Sequence, residues 1–163
     1  VEIRTTRYDA PDAVKLNDLV QQEYMRRYGE SDVTPMDAAH FEPPQGLYLL
    51  VYDPAGTAVA SGGWRAKDES PEGFSDGDAE IKRMFVVPEA RGRGLARALL
   101  AELEATAAAT GRTRMVLETG LKQPEAIALY ESSGYLPMPK FGVYRYDELS
   151  ICMAKGLTAD IRA

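Results

Sequence analysis

Val1, Ile3 and Thr5 alternate with charged or polar neighbours in VEIRTTR, the period-two pattern of a half-buried strand. From Pro11 the period lengthens. Val14, Leu16, Leu19, Val20 and Tyr24 form a helical stripe that runs to about Tyr28, with Asp9 placed as N-cap and Pro11 in the first turn. TPMD repeats the signal, with Thr34 as cap, Pro35 at the first helical position and Asp37 completing an acidic capping box, and it predicts a short second helix. Pro43 and Pro44 end it. The apolar run LYLLVYD, the turn PAG and the run TAVASGGWR predict an antiparallel hairpin over 47–65. AKDESPEGFSDGD has no period and reads as a loop. AEIKRMFVV is the next strand, and Leu95, Leu99, Leu103 and Ala107 give the following helix its buried stripe. TRMVLETG is a strand, PEAIALYESSG a helix between Pro124 and Gly134, and VYRYD and LSICMAK a closing pair of strands.

The resulting order is β-α-α-β-β-β-α-β-α-β-β, without repeats or a linker long enough to divide it. A single domain over 1–163 is expected, of α/β (α+β) class. Strands followed by helices imply some parallel pairing, and the hairpins imply a mixed sheet.

Composition narrows the function. A net charge of −6 and a pI near 4.9 argue against a general nucleic-acid binder, which needs a surplus of cations on its contact face. Cys152 is the only cysteine, which excludes an internal disulfide and fits a reducing compartment. His40 is the only histidine and has no suitable nucleophile beside it, so a Ser-His-Asp or Cys-His mechanism is not supported. No apolar run approaches the ~18 residues of a membrane span, and no signal-peptide pattern opens the chain. A soluble, cytoplasmic protein is expected, with no membrane or nucleic-acid partner and no metal.

The chemistry concentrates in RMFVVPEARGRGLARALL, residues 83–100, where a strand passes through Arg91, Gly92, Arg93 and Gly94 into a helix. Backbone N–H groups at a helix start, flanked by cations, suit a phosphorylated ligand. A dinucleotide fingerprint fails because Arg97 stands where G-x-G-x-x-G needs a third small residue, and the chain contains no P-loop. Arg91, Gly94 and Ala96 match instead the Q/R-x-x-G-x-G/A signature of the GNAT superfamily of acyl-CoA-dependent N-acetyltransferases. QPEAIALYESSGY resembles that superfamily's second block, and LETG and FGVY…CMAK resemble a bacterial subgroup of it. The similarity is densest over 79–135, and Gln123 stands where many members have Asn.

The resemblance implies a mixed, mostly antiparallel central sheet flanked by helices, with acetyl-CoA as acyl donor. It implies that Arg91, Gly92, Arg93, Gly94, Leu95, Ala96 and Arg97 hold the pyrophosphate, that the strand edge at Phe85, Val86 and Val87 pairs with the pantetheine, and that Gln123, Ala126 and Tyr130 complete the cofactor site. Tyr130 is the implied hydrogen-bond donor to the departing sulfur. The acceptor amine must lose a proton, and Glu80, at the end of the acidic loop, is the first candidate base, with Glu118 second. Tyr24, Tyr28, Phe41 and Tyr144 are candidates to line an acceptor pocket. The leading reading is an N-acetyltransferase acting on a small-molecule amine. A protein or peptide amine, or a non-catalytic acyl-CoA sensor, are the alternatives, and a homodimer is compatible with the sequence.

Overall fold

The computed structural model describes residues 1–157. β1 (Glu2–Thr6) is followed by α1 (Pro11–Tyr28), the hairpin of β2 (Gly46–Tyr52) and β3 (Ala58–Lys67), and β4 (Asp78–Val86). Then come α2 (Leu95–Ala109), β5 (Arg114–Gly120), α3 (Pro124–Ser132), the two-residue β6 (Leu136–Pro137) and β7 (Ser150–Gly156). The strands form a seven-stranded sheet in the order β1-β2-β3-β4-β5-β7-β6, in which β4 and β5 run parallel and the other neighbours antiparallel. The mixed, mostly antiparallel sheet is therefore as expected.

Two adjacent glycines in β3 show how the helices lie. A Cβ on Gly62 would meet Leu99 of α2, whereas one on Gly63 would meet Tyr48 and Phe41, on the side where Asn17 of α1 bonds the Tyr48 hydroxyl. Successive strand residues face opposite ways, so α1 and α2 cover opposite faces of the sheet. This explains why β2 reads as an unbroken apolar run, since its residues are buried on both sides. Leu99, Leu100 and Leu103 of α2 are fully buried, each contributing about 2 kcal/mol.

Three local expectations are corrected. The helix expected from Thr34 is absent: the backbone is irregular until a single 3-10 turn at Ala38–Phe41, capped by Asp37, which accepts from the Ala39 N–H at 2.9 Å. Thr34 is diverted because its N–H and hydroxyl both donate to Asp32, and a residue preceding proline avoids the helical region. Asp9 does not cap α1. It pairs with Arg7, and Ala10 occupies the cap position without a side-chain bond. VYRYD is not a strand but a run of turns closed by Arg145 N–H to Gly142 and Asp147 N–H to Tyr144. Its place beside β7 is taken by β6, where Met138 N–H carries the ladder on to the Cys152 carbonyl at 3.1 Å and Pro137 stands on the outer edge, where no N–H is needed.

Candidate active site

β4 and β5 pair only from Asp78 opposite Arg114 to Glu80 opposite Val116, and beyond this they part. Residues 81–86 and 117–120 are therefore edges facing one another across a cleft of about 160 Å³, open to solvent. Its walls include Ile81, Lys82, Arg83 and Met84 from β4, Leu117 to Gly120 from β5, Ala126 and Tyr130 from α3, and Tyr24 and Tyr28 from α1. The last residue of β5, Gly120, has no room for a Cβ because the Tyr28 phenol lies there, and the Tyr28 hydroxyl donates to Gln123 Oε1 at 3.1 Å. Glu30 to Asp32 and Tyr144 to Ser150 supply the remaining wall through two loops.

Beyond the end of β4 lies the glycine loop. Gly92 and Gly94 have φ of +79° and +78°, a conformation that strains any residue with a Cβ, and nothing lies within 4 Å of a Cβ built at either. Leu95 and Ala96 then open α2, so the N–H groups of its first turn remain available. Arg97 donates to Ser132 and Ser133 at 2.8 and 3.1 Å, tying α2 to the end of α3. Arg93 is exposed and reaches the Glu89 carbonyl at 3.4 Å. Val87 N–H donates to Val59 of β3, so by strand alternation the neighbouring Val86 carbonyl faces the free edge of β4. Arg91 Nε donates to that carbonyl at 2.9 Å, while its Nη2 pairs with Glu23 at 2.8 Å. Phe85 and Val87 direct their side chains into the core.

The two carboxylates occupy different surroundings. Glu80 is buried in an ion pair with Arg65 at 2.9 Å, and Arg65 is also bound to the Pro35 carbonyl. Glu118 lines the cleft, accepts from the Ser150 hydroxyl at 2.9 Å, and makes no ion pair among the described residues. Burial pushes its pKa up to about 7, against the opposing pull of the Ser150 bond and the Lys82 ammonium. Tyr130 also faces the cleft. Burial raises its pKa, which keeps the phenol protonated, and its hydroxyl makes no hydrogen bond among the described residues.

A third cluster escaped the sequence reading. Arg83 has φ of +61°, alone among the described non-glycine residues, and it is the extra residue of a bulge where β4 slips against Ser61–Gly63 of β3. In a regular strand Lys82 and Arg83 would face opposite sides. The bulge instead sends both to Asp32 Oδ2, at 3.4 and 3.2 Å. Asp32 Oδ1 accepts from Thr34 and, at 2.8 Å, from Tyr144. Although burial opposes its charge, Lys82, Thr34 and Arg83 hold Asp32 well below the usual carboxylate range. The signal was present in the sequence as two adjacent cations inside an apolar strand, AEIKRMFVV.

Residues 13–135 match the family model described as Acetyltransferase (GNAT) family. The chain belongs to the GNAT family of acetyl-CoA-dependent N-acetyltransferases. It is 38% identical over 149 residues to an IAA acetyltransferase of Azospirillum brasilense, an alignment covering 87% of this chain and 93% of that protein. Among solved structures, a putative acyl-CoA N-acyltransferase of Klebsiella pneumoniae superimposes with a TM-score of 0.79 at 29% identity, covering 96% of this chain and 97% of that one. A GNAT superfamily phosphinothricin acetyltransferase of Sinorhizobium meliloti, in complex with AcCoA, has a TM-score of 0.69 at 19% identity, with 97% and 90% covered.

The GNAT fold brings Glu118, Tyr130, Gln123 and Ala126 to one cleft, with Tyr24, Tyr28 and Tyr144 also on its walls. Phe41 is not there: it is buried in the core, stacked on Tyr8 with ring centroids 5.0 Å apart. Cys152 is buried beneath Phe141 and Phe74, and burial pushes its thiol up to about 11, which leaves it unreactive. Among the described residues no helix is long and apolar enough to cross a membrane.

Proposed function

We propose that this GNAT enzyme acetylates the primary amine of a small molecule by direct attack within a ternary complex, with Glu118 as base and Tyr130 as proton donor. The observation that carries this reading is the placement of a hydrogen-bonded but otherwise unpaired Glu118, poised near neutrality, and a free Tyr130 hydroxyl on walls of one cleft. An alkylamine of ordinary pKa is neutral in only about one part in 2,500 at pH 7, so its proton must be removed. Glu118 is ionised in about half its population near pH 7 and takes up that proton directly or through water. Glu80, the first candidate from sequence, is committed to Arg65.

When bound, acetyl-CoA supplies the activated acetyl group. The glycine loop and the first turn of α2, at Gly92, Gly94, Leu95 and Ala96, fit its pyrophosphate because no side chain fills the space beside either glycine. The free edge of β4 at Val86 offers a carbonyl to a pantetheine amide once Arg91 releases it. Tyr130 lies where α3 faces both edges, and its phenol would stabilise the charge developing on the departing sulfur and pass it a proton, which the phenolate regains from solvent. The cleft and the two loops closing its far side suit an acceptor of modest size, and the Azospirillum relative's name points the same way.

Acetyl-CoA turnover with a panel of small amines and basic peptides, followed by thiol release, tests the reading. Small amines are expected to be acetylated and peptides not. Tyr130→Phe is expected to lower kcat by about 10–100-fold while the Kd for acetyl-CoA changes less than threefold. An unchanged rate, with chemistry rate-limiting, would return Tyr130 to a packing role.

A further inference from the structure

The acceptor wall holds more positive charge than it neutralises. Lys82 and Arg83 share a single carboxylate oxygen, Asp32 Oδ2, because Oδ1 is taken by Thr34 and Tyr144. Arg83 has a second partner in Asn17 Oδ1 at 3.2 Å. Lys82 has none as good. Its side chain is only 10% exposed, yet its two contacts, to Asp32 and Thr34 Oγ1, are both 3.4 Å long. An ammonium has three N–H donors, so at least one is left without a protein acceptor among the described residues while the group lines the cleft. Burying a cation so loosely held is costly unless an anion completes its shell. The strained bulge at Arg83, which places both cations on this wall, points to function as well.

The other charges along the cleft are Glu118 on the opposite edge and Glu30 and Asp147, both exposed at its mouth. Those outer acids are screened by water, whereas the inner wall of Lys82, Arg83 and Asp32 keeps a surplus positive charge. Building on the acyltransferase reading above, we propose that Lys82 recognises a carboxylate on the acceptor, so that the natural substrate is an amine that also carries a carboxylate, such as an amino acid. Its amine then lies toward Glu118 and its carboxylate toward Lys82. The remainder of the molecule packs against Tyr24 and Tyr28.

The test compares phenylalanine, leucine and lysine, each with its amide and its decarboxylated amine, as kcat/KM corrected for the fraction of neutral amine. The wild-type enzyme is expected to favour at least one acid over both its uncharged counterparts by tenfold or more. Lys82→Met should collapse that ratio to within about twofold, and Lys82→Arg should keep it. Lys82→Gln replaces the methionine variant if that fails to fold. A wild type that uses the acids no better than the amides, or a Lys82→Met enzyme that keeps the preference, would overturn the proposal. Calorimetry with CoA-saturated protein, N-acetylphenylalanine, N-acetylleucine and Nα-acetyllysine, and the matching N-acetyl amines, gives the same comparison without turnover. Thiol release with none of the amines would contradict the acyltransferase reading. Lys82-dependent binding of the N-acetyl acids would still uphold the carboxylate site, and equal binding of acids and amines would remove it.

Discussion

Glu118 and Glu80 sit on neighbouring strands, and their partners separate them. Glu118 has a pKa raised to about 7, so the folded state favours its neutral form. The stabilisation this gives is present at acid pH and lost as pH rises through about 7. Glu118→Gln is therefore expected to be neutral to stability at pH 5 and stabilising at pH 8, by roughly 1–3 kcal/mol, or about 2–4 °C in Tm for each. Thermal melts at the two pH values check this, and a variant less stable than wild type at pH 8 would contradict it. Glu80→Gln should behave in the opposite sense, because it strands the buried Arg65 cation, and is expected to cost about 3–5 kcal/mol in urea unfolding. Both carboxylates were visible as candidates in the sequence, but their ranking was not. Arg65 lies fifteen positions from Glu80, and no periodicity announces that pairing.

The glycine loop and the helices α2 and α3 were readable because their signals are local. Gly92 and Gly94 need left-handed backbone, Leu99, Leu103 and Ala107 recur on one face of α2, and Pro124 opens α3. The missed elements were set by distant contacts. Thr34 was drawn to Asp32 and away from a helix cap, and the strand expected at VYRYD gave way to turns whose Tyr144 reaches the same Asp32. The bulge at Arg83 depends on register against β3, which a single strand's pattern does not contain. For the loop itself, Gly94→Asp adds a Cβ at φ of +78° and a negative charge beside the proposed anion site. It is expected to weaken CoA binding by at least 30-fold in calorimetry while the protein stays folded. Unchanged affinity would remove the phosphate-loop assignment.

Taken together, the sheet does one thing for catalysis: it lets two parallel strands separate after three residue pairs, and it brings α1, α3 and two loops to the gap. The proposed donor end is built from backbone and glycine, and the proposed acceptor end from tyrosines and a buried charge cluster. Glu118 stands on the cleft wall together with Tyr130. The most direct measurement of the account is the pH dependence of kcat/KM for wild type, Glu118→Gln and Glu80→Gln, using an acceptor whose own amine pKa is known. After correction for the amine, the wild-type rate should rise through a pKa near 7, set by Glu118. Glu118→Gln should lose that rise and about 100–1,000-fold in rate, whereas Glu80→Gln, assayed where it is folded, should keep it. A Glu118→Gln enzyme with the wild-type profile, beside a Glu80→Gln enzyme that has lost it, would contradict the account.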